Sequence, residues 1–288
     1  MIGQIALNSL ALGSIYALTA LGFVIIFRAS DVVNFAQGEM MMLGAMVALL
    51  LYRDMHLSYS IAFVLSMVIC MGGGALVERV AFRPLMNAPH FTVLLSTVAI
   101  GRIIRSGVRI LFGQEVSSFP GVWSAEPIGF MGLRTTALNL GIVALTIMTL
   151  LVFILMFSWT RIGWAMKATA QTKRGAAIVG ISVSRTNALV WAMAGGLAAI
   201  AGILLAPLII ITPDMGVIGN KGFIAAILGG FTSLPGAVLG GFALALAENL
   251  IGVYLSSAFK DVIVFVLLIL VLLVRPAGLL GRQIVKRV

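Results

Sequence analysis

The stretch GQIALNSLALGSIYALTALGFVIIF, residues 3–27, carries no charged side chain and is closed by Arg28. About 20 consecutive apolar residues are enough for a helix to cross a bilayer. Further stretches nearly free of charge follow along the chain: Ser60–Val77, Phe91–Gly101, Thr136–Trp159, Asn187–Ile211 and Val262–Val274. This pattern predicts an all-α polytopic membrane protein.

The overall composition supports the same class. The chain is 61% hydrophobic and only 10% charged, whereas a soluble domain has about 25% charged residues. The net charge is +10, but the basic residues lie at the ends of apolar segments, as charges that set membrane orientation do. No basic stripe with interleaved aromatic residues is present, so we expect no nucleic-acid binding. Residues 1–288 are expected to form a single transmembrane domain surrounded by membrane lipid.

Two apolar segments are interrupted. The polar stretch Ala29–Gly38 precedes a short apolar run, and Gly222–Phe231 is a second short run that ends at Thr232–Gly236. We therefore expect about eight long transmembrane helices plus a short or broken helix, arranged as two pseudo-repeat halves. Paired broken segments in corresponding halves point to a solute pathway between the repeats. Whether Gly222–Phe231 crosses the membrane or re-enters it stays open.

The distribution of basic residues predicts the orientation. The loop 161–185 and the C-terminal tail are the most basic parts of the chain, and both are expected in the cytoplasm. The N-terminus lacks charge and is expected on the opposite side, which requires an odd number of crossings. Within the basic loop, Trp164–Gly180 is interpreted as short helices outside the bilayer. Gly113–Arg134 is interpreted as the main loop of the first half.

The polar residues at the first break are candidates for a solute pathway. Asn34, Gln37 and Glu39 lie where the helix is expected to be broken, and half-helix ends can bind polar solutes within a membrane. Ionisable groups inside a membrane are costly to keep, although a polar loop at the membrane surface is an equally open interpretation. Glu248 and Asn249, in the glycine-rich late segment, either line the same pathway or make structural helix contacts.

Three arginines, Arg102, Arg105 and Arg109, are spaced to share one face of a helix. The orientation above places them near the external end of their segment. Arg105 and Arg109 are one candidate surface for docking an acidic binding protein, because arginine pairs well with carboxylates. The simpler interpretation is that these side chains reach toward lipid head groups.

Motifs for catalysis and for metal binding are missing. The chain has no G-x-x-x-x-G-K-[ST] phosphate loop, so it is not expected to hydrolyse ATP itself. His56 and His90 are far apart and lack companions at ligand spacing, so no metal site is predicted. No nucleophile elbow or Ser/His/Asp set is found. We therefore predict no catalytic residue and no cofactor.

Four motifs, taken in order, carry a resemblance to a known family. They are Val33–Met40 (VNFAQGEM), Gly222–Gly241, Ala247–Asn249 and Arg275–Gly281 (RPAGLLG). Together they resemble the LivH-type permease subunits of branched-chain amino acid ABC importers, and the resemblance runs nearly end to end. It implies a permease domain without enzymatic activity, in the bacterial inner membrane, that forms a pathway for leucine, isoleucine and valine.

The resemblance also implies partner subunits. These would be a LivM-like second permease, two cytoplasmic ATP-binding subunits and a periplasmic substrate-binding protein. The N-terminus would be periplasmic and the C-terminus cytoplasmic. Within the segment 161–185, the resemblance assigns ATPase coupling to six residues: Lys167, Ala168, Gln171, Ala176, Gly180 and Ile181.

The coupling segment departs from the family pattern in one place. Relatives commonly have an acidic residue or asparagine directly after the position of Gln171, but this chain continues with the basic stretch Thr172–Gly175. The coupling role is unchanged, whereas the matching surface on the ATPase is put in doubt. A short helix with small residues can sit in a groove of a soluble partner. The alternative is a solvated amphipathic loop.

Three other functions compete with this interpretation. The first is the same transporter class with urea, amides or other small solutes. The second is a stand-alone proton-coupled secondary transporter, in which Glu39 and Glu248 would carry protons, as intramembrane carboxylates do in proton relays. The third is an integral membrane enzyme, which the missing catalytic residues make the weakest of the three.

Overall fold

The computed structural model describes residues 2–113, 118–119, 126–130, 133–256 and 259–281, and these are almost entirely helical. The helices are α1 (Ile2–Ser30), α2 (Gln37–Leu49), α3 (Tyr59–Val77), α4 (His90–Phe112), α5 (Ala137–Trp159), α6 (Arg161–Gln171), α7 (Lys173–Ile178), α8 (Val183–Leu205), α9 (Gly219–Gly229), α10 (Leu234–Tyr254) and α11 (Lys260–Val274). An antiparallel hairpin of β1 (Pro127–Phe130) and β2 (Leu133–Thr136) precedes α5 and pairs Pro127 with Thr136.

Parts of two sequence predictions fall outside the described residues. In the predicted loop Gly113–Arg134, the described residues include the hairpin, whereas Glu115 and Pro120 lie outside them. The basic residues of the tail, Arg282, Lys286 and Arg287, also lie outside them.

Within the described ranges, six helices are long and apolar enough to cross a membrane: α1, α3 with its continuation to Leu85, α4, α5, α8 and α10. The prediction of an all-α polytopic protein is therefore confirmed, but the predicted number of about eight long helices is not. The difference lies in α2, which has 13 residues before a π-helical continuation Leu50–Asp54, and in α11, which has 15; α9, the segment expected to be short, has 11. Each is shorter than the roughly 20 residues that a full span requires.

Helix α8 differs from the predicted bounds 187–211 at both ends. It begins four residues earlier, because the Ser182 hydroxyl caps the first turn by accepting a hydrogen bond from the Arg185 amide. It ends at Leu205, just before Pro207. Pro207 has no amide hydrogen to donate to the preceding turn, and its ring cannot continue the helix.

The molecule has two ends, which we name by what lies there. At the hairpin end, the Arg134 amide donates to Gln4 Oε1 at 2.9 Å, so β2 lies beside the start of α1. At the tail end, Lys173 donates to the Ser30 carbonyl at 3.3 Å, which brings the basic segment beside the end of α1. The C-terminal segment also lies at the tail end, where the Leu279 amide donates to the Leu228 carbonyl.

Helices α1 and α8 form the centre of the bundle. In each of them, 83% of the residues of an apolar 18-residue stretch are buried. They run in opposite directions, because α8 begins at the tail end, where α1 finishes. Between helices in lipid, association depends on close packing and small side chains rather than on a hydrophobic driving force. Ala194, Ala198 and Ala201 on α8 are fully buried, so this small-residue face lets neighbouring backbones approach closely.

Helices α2 and α9 are half-length helices that both begin inside the bundle. The chain turns back after Ser30, and Gln37 Nε2 donates at 3.0 Å to the carbonyl of Ala194, the central residue of α8. At the start of α9, a Cβ on Gly219 would overlap the backbone of Gly38, and a Cβ on Gly38 would overlap the carbonyl of Gly216 just before α9. The N-termini of α2 and α9 therefore meet in the interior, at a point that we call the half-helix junction.

The two halves of the chain have the same order of long and short helices around the half-helix junction. In α1–α4 and again in α8–α11, a buried long helix is followed by a half-length helix and then by two further helices. Helix α9 returns to the tail end, where Phe231 packs on Phe27 at 5.0 Å. Helix α2 leads toward the hairpin end, where Tyr52 stacks on Phe119. The second half thus repeats the order of the first in the opposite direction.

Candidate functional site

A charged cluster lies beside the half-helix junction. Glu39, the third residue of α2, pairs with the Nη2 atom of Arg105 on α4, and both side chains are nearly buried, at 11% and 13% exposure. Asp214, in the segment before α9, is 2.7 Å from Arg109 and 3.4 Å from Arg105. The start of a helix carries partial positive charge and therefore favours the Glu39 carboxylate.

The irregular segment before α2 is held by its own polar groups. The Phe35 amide donates to Thr97 Oγ1 of α4 at 3.1 Å, and the Ala36 amide donates to Asn34 Oδ1 at the same distance. Asn34 and Gln37 are completely buried. These bonds fix the segment that turns the chain back into the bundle after α1.

Several buried polar atoms at the junction have no partner among the described residues. They are Asn34 Nδ2, Gln37 Oε1, Glu39 Oε2 and Arg105 Nε. Buried polar atoms in native proteins are nearly always hydrogen-bonded, to protein or to water. Donors and acceptors left open at one place can bind a polar solute that carries both kinds of group.

A cavity of about 230 Å³ adjoins the charged cluster. Its lining comes from α2, α4 and α9 and from the segments that precede α2 and α9: Phe35, Glu39, Val98, Gly101, Arg102, Arg105, Val217 and Asn220. The cavity therefore combines a carboxylate, two guanidinium groups, an amide and an apolar wall.

A second polar cluster lies on the other side of α9. Glu248 of α10 is buried, and its carboxylate accepts from the Tyr16 hydroxyl at 2.8 Å and from Lys221 Nζ at 2.6 Å. Lys221 is also 2.9 Å from Asp261, at the start of α11. These contacts tie α1, α9, α10 and α11 together. Asn249 donates to Ser9 at 2.9 Å, a direct contact between α10 and α1.

The structure thus separates the residues that the sequence grouped as one pathway. Asn34, Gln37 and Glu39 lie together at the half-helix junction, whereas Glu248 and Asn249 belong to the second cluster. The sequence analysis missed Lys221, although a buried carboxylate such as Glu248 requires a partner. That requirement is the signal that could have identified Lys221, one of only two basic residues between Asn187 and Val274.

The predicted coupling segment lies at the tail end as two short helices. Lys167, Ala168 and Gln171 belong to α6, and Ala176 is the buried residue of α7. Helix α7 ends in a Schellman motif, in which the Ile181 amide donates to the Ala176 carbonyl and Gly180 adopts a φ of 81°. A positive φ at this position is favoured by glycine.

The turn that follows α7 presents apolar side chains to solvent. Ile178 is 80% exposed and Val179 is 73% exposed. Exposed apolar side chains at the tip of a polar segment are typical of an interaction surface. Lys167 packs over the ring of Phe157 at 4.9 Å, which fixes α6 against the end of α5.

No metal centre is found in the part of the chain that the structure describes, because no three histidine, cysteine or acidic side chains come together there. His56 lies in the loop before α3, whereas His90 is the first residue of α4. Cys70 is a free, buried thiol of α3.

Half-helices that meet at polar groups inside a bundle of apolar helices are the architecture of membrane transport proteins. The family model described as "Branched-chain amino acid transport system / permease component" matches residues 5–272. The chain therefore belongs to this family of transport permeases, and it is a multi-pass protein of the inner membrane.

This chain is similar to curated relatives along nearly its whole length. The chain is 35% identical to the high-affinity branched-chain amino acid transport system permease protein LivH of Escherichia coli K12, over 98% of this chain and 96% of the relative. It is 31% identical to the corresponding protein BraD of Pseudomonas aeruginosa, over 99% and 97%, and 30% identical to a probable LivH of Methanocaldococcus jannaschii, over 93% and 89%. No solved structure matches this chain.

These relatives confirm the resemblance that the four sequence motifs predicted. The relatives are permease subunits of transport systems rather than enzymes, which also confirms that interpretation for this chain. Permeases of this kind work with partner subunits of the ABC type.

Proposed function

We propose that this chain is a permease subunit of an ATP-driven ABC importer and forms the translocation pathway for leucine, isoleucine and valine. The observation that carries the proposal is the half-helix junction, where Glu39, Arg102 and Arg105 border a cavity within the bundle. The solute is proposed from the names of the relatives, which are branched-chain amino acid permeases.

The chemistry of the cavity suits this solute class. An amino acid at neutral pH carries one ammonium and one carboxylate, and the cavity presents both signs of charge. Phe35, Val98 and Val217 supply an apolar wall for an aliphatic side chain. The open polar atoms of Asn34 and Gln37 lie deeper, at the start of α2, and are proposed to guide the solute past the half-helix junction.

The proposed membrane arrangement has nine crossings within one permease domain. Six are the long helices, and α2 and α9 each complete a crossing together with the irregular segment that precedes it. Helix α11 is the ninth. The tail end is placed in the cytoplasm, because the basic segment 161–185 and Arg275 lie there. The hairpin end is placed in the periplasm, so Gly222–Phe231 belongs to a crossing segment.

The coupling role of α6 and α7 is supported by their position at the tail end. Each ATP-binding subunit would receive the exposed tip formed by Ile178 and Val179, in the way that a short helix enters a groove of a soluble partner. The second, LivM-like permease would pack against this chain within the membrane.

Docking of the periplasmic binding protein stays a prediction. The hairpin end carries Arg109 and Asp214, whose side chains are 42% and 60% exposed. Arg105 is engaged with Glu39 in the interior, so its contribution to docking would be indirect.

The contacts of the two buried carboxylates speak against a stand-alone proton-coupled transporter. Glu39 is paired with Arg105, and Glu248 is paired with Lys221. Protonation of either carboxylate would remove the buried partner of Arg105 or Lys221 and leave that cation with only an exposed aspartate, Asp214 or Asp261, which is costly in a poorly solvated place. The pairs are therefore better suited to holding helices and solute than to carrying protons.

Purification of the tagged chain from its native membrane, followed by mass spectrometry, tests the assembly. We expect an ATP-binding subunit and a second permease in stoichiometric amounts, and recovery of the chain alone would contradict the proposal. The solute is tested by competition against leucine uptake in the same membranes. Isoleucine and valine should compete. Competition by urea or short amides alone would show that the solute assignment is wrong, while the assignment to the transporter class would stand.

A further inference from the structure

We propose that Arg102 is the carboxylate-binding residue of a zwitterion site, in which Glu39 binds the ammonium group of the same amino acid. This inference rests on the proposed function and assigns residues within it. Neither the four family motifs nor the predicted pathway includes Arg102 in such a role.

Arg102 lies far from both ends of α4. It is the thirteenth of the 23 residues from His90 to Phe112, so it lies at the middle of this membrane-crossing helix. At about 1.5 Å per residue, either helix end is roughly 15 Å away. A side chain at this depth is too far from the head groups to reach them. The snorkelling interpretation therefore does not account for Arg102.

Arg102 is also unpaired within the described part of the chain. Its side chain is exposed, and among the described residues it makes no ion pair and no side-chain hydrogen bond. Arg105, one turn later, is already occupied by Glu39 and Asp214. A charged side chain that faces hydrocarbon at the centre of a bilayer is costly and is rarely kept. Arg102 must therefore face water or a polar partner.

The cavity gives Arg102 that environment. Arg102 lines it together with Glu39, and Asn220 of α9 adds an amide on the opposite wall. Asn220 and Val217, which line the cavity beside Arg102, are exposed as Arg102 is. The cavity thus opens to the side of α4 at the depth of the half-helix junction.

The chemistry of the two charged groups matches an amino-acid head group. A guanidinium group binds a carboxylate through two parallel hydrogen bonds, and Arg102 has its donors unused. An ammonium group needs acceptors, and Glu39 Oε2 is buried without a partner. Since the site requires both charges on one solute, it would discriminate against urea and amides, which carry no carboxylate.

The exposure of Arg102 to water is tested by cysteine labelling in the complete permease complex in proteoliposomes. Cys70 is buried, so the Cys70→Ala chain provides an unreactive background. We expect a membrane-impermeant methanethiosulfonate to modify Arg102→Cys. The control is Ile103→Cys, because Ile103 is 69% exposed on the same helix and should face lipid without reacting. Absence of labelling at Arg102→Cys, or equal labelling at both positions, would overturn the proposal.

The binding role is tested by cysteine labelling at an apolar position of the cavity, so that all polar groups of the site are kept. Val98 lines the same cavity, and Val98→Cys should be labelled more slowly in saturating leucine, by about fivefold or more. The added substitution Arg102→Gln should abolish this protection and raise the KM for leucine uptake at least tenfold, and Arg102→Lys should restore part of it. Arg79→Gln, at an exposed arginine, is the charge-matched control and should leave protection unchanged.

The outcomes separate this inference from the proposed function. If the unmodified complex takes up leucine with ATP but protection persists in Arg102→Gln, the Arg102 site is wrong and the importer assignment stands. If the unmodified complex takes up no leucine at all, the proposed function itself is wrong.

Discussion

At the scale of single residues, the pair of Glu39 and Arg105 is the interaction on which the half-helix junction depends. Both side chains are nearly buried, and the pair joins α2 to α4. Removal of one partner from a buried ion pair leaves an unpaired charge and typically costs 3–5 kcal/mol, whereas replacement of both partners costs much less.

The first prediction follows from this asymmetry. Glu39→Gln and Arg105→Gln should each lower the thermal unfolding midpoint of the purified chain, with a cost of about 3 kcal/mol. The double variant should lose less stability than the two single variants lose together, because both charges are then removed. Thermal unfolding in detergent, followed by tryptophan fluorescence, measures all three variants.

The exposed pair of Arg53 and Asp54 provides the matched control, with side chains that are 51% and 48% exposed. Asp54→Asn should change stability by no more than about 1 kcal/mol, because exposed ion pairs contribute little. Additive effects of the two junction variants would show that the Glu39–Arg105 pair does not couple α2 to α4.

The residues at the break could be predicted from sequence because their cause is local. Asn34, Gln37 and Glu39 stand next to a visible interruption between apolar runs. The ion pairs could not be predicted, since Arg105 and Asp214 are 109 residues apart and Lys221 and Glu248 are 27 apart. Which side chains meet across such distances is set by helix packing, on which a single sequence carries no direct signal.

At the scale of elements, the starts of α2 and α9 are in close backbone contact. Gly38 and Gly219 leave no space for a side chain at this contact. Tight packing makes the position sensitive to one added methyl group, since overpacking of a well-packed interior costs about 1–3 kcal/mol.

The second prediction uses this contact. Gly38→Ala should destabilise the chain by about 1–3 kcal/mol and reduce leucine uptake, because the two half-helices would be forced apart. Gly72→Ala in α3 is the control, since a Cβ at Gly72 meets no atom within 4 Å. This control should be neutral, or stabilising by up to about 1 kcal/mol, through the better helix propensity of alanine. Equal effects at both positions would argue against the half-helix junction.

The third prediction concerns the tip that follows α7. Ile178→Glu should leave the folded permease intact, because Ile178 is 80% exposed, but should reduce co-purification of the ATP-binding subunit at least fivefold. Ile128→Glu in the hairpin, where Ile128 is 45% exposed at the opposite end of the molecule, is the matched control. Unchanged recovery of the ATP-binding subunit with Ile178→Glu would remove this tip from the coupling interface.

The bounds of most elements could be predicted within a few residues, because long apolar runs and their polar ends are visible in the sequence. The exceptions have physical reasons. Helix α8 was placed too far along the chain, since apolar residues continue after Leu205 although Pro207 ends the helix. The number of long helices was overestimated because apolar composition does not reveal that α2 begins in the middle of the bundle or that α11 has only 15 residues.

At the scale of the whole molecule, two halves of opposite direction meet at the half-helix junction. Two pseudo-repeat halves were expected from the paired interruptions, but their opposite directions were not, and the residue-level correspondence of the halves is not visible in the sequence. The direction of each half was established only by contacts between distant segments, such as Gln4 with Arg134 and Lys173 with Ser30. Those contacts place the basic segment and the C-terminal segment at one end and the hairpin at the other.

The central claim is that this chain conducts amino acids only as part of an ATP-driven complex. The most direct test is uptake of labelled leucine by proteoliposomes that contain the complete complex, with its binding protein outside and ATP inside. We predict uptake with ATP and none with a non-hydrolysable analogue or when this chain is omitted. Uptake by the chain alone, without ATP and in response to a proton gradient, would contradict the account.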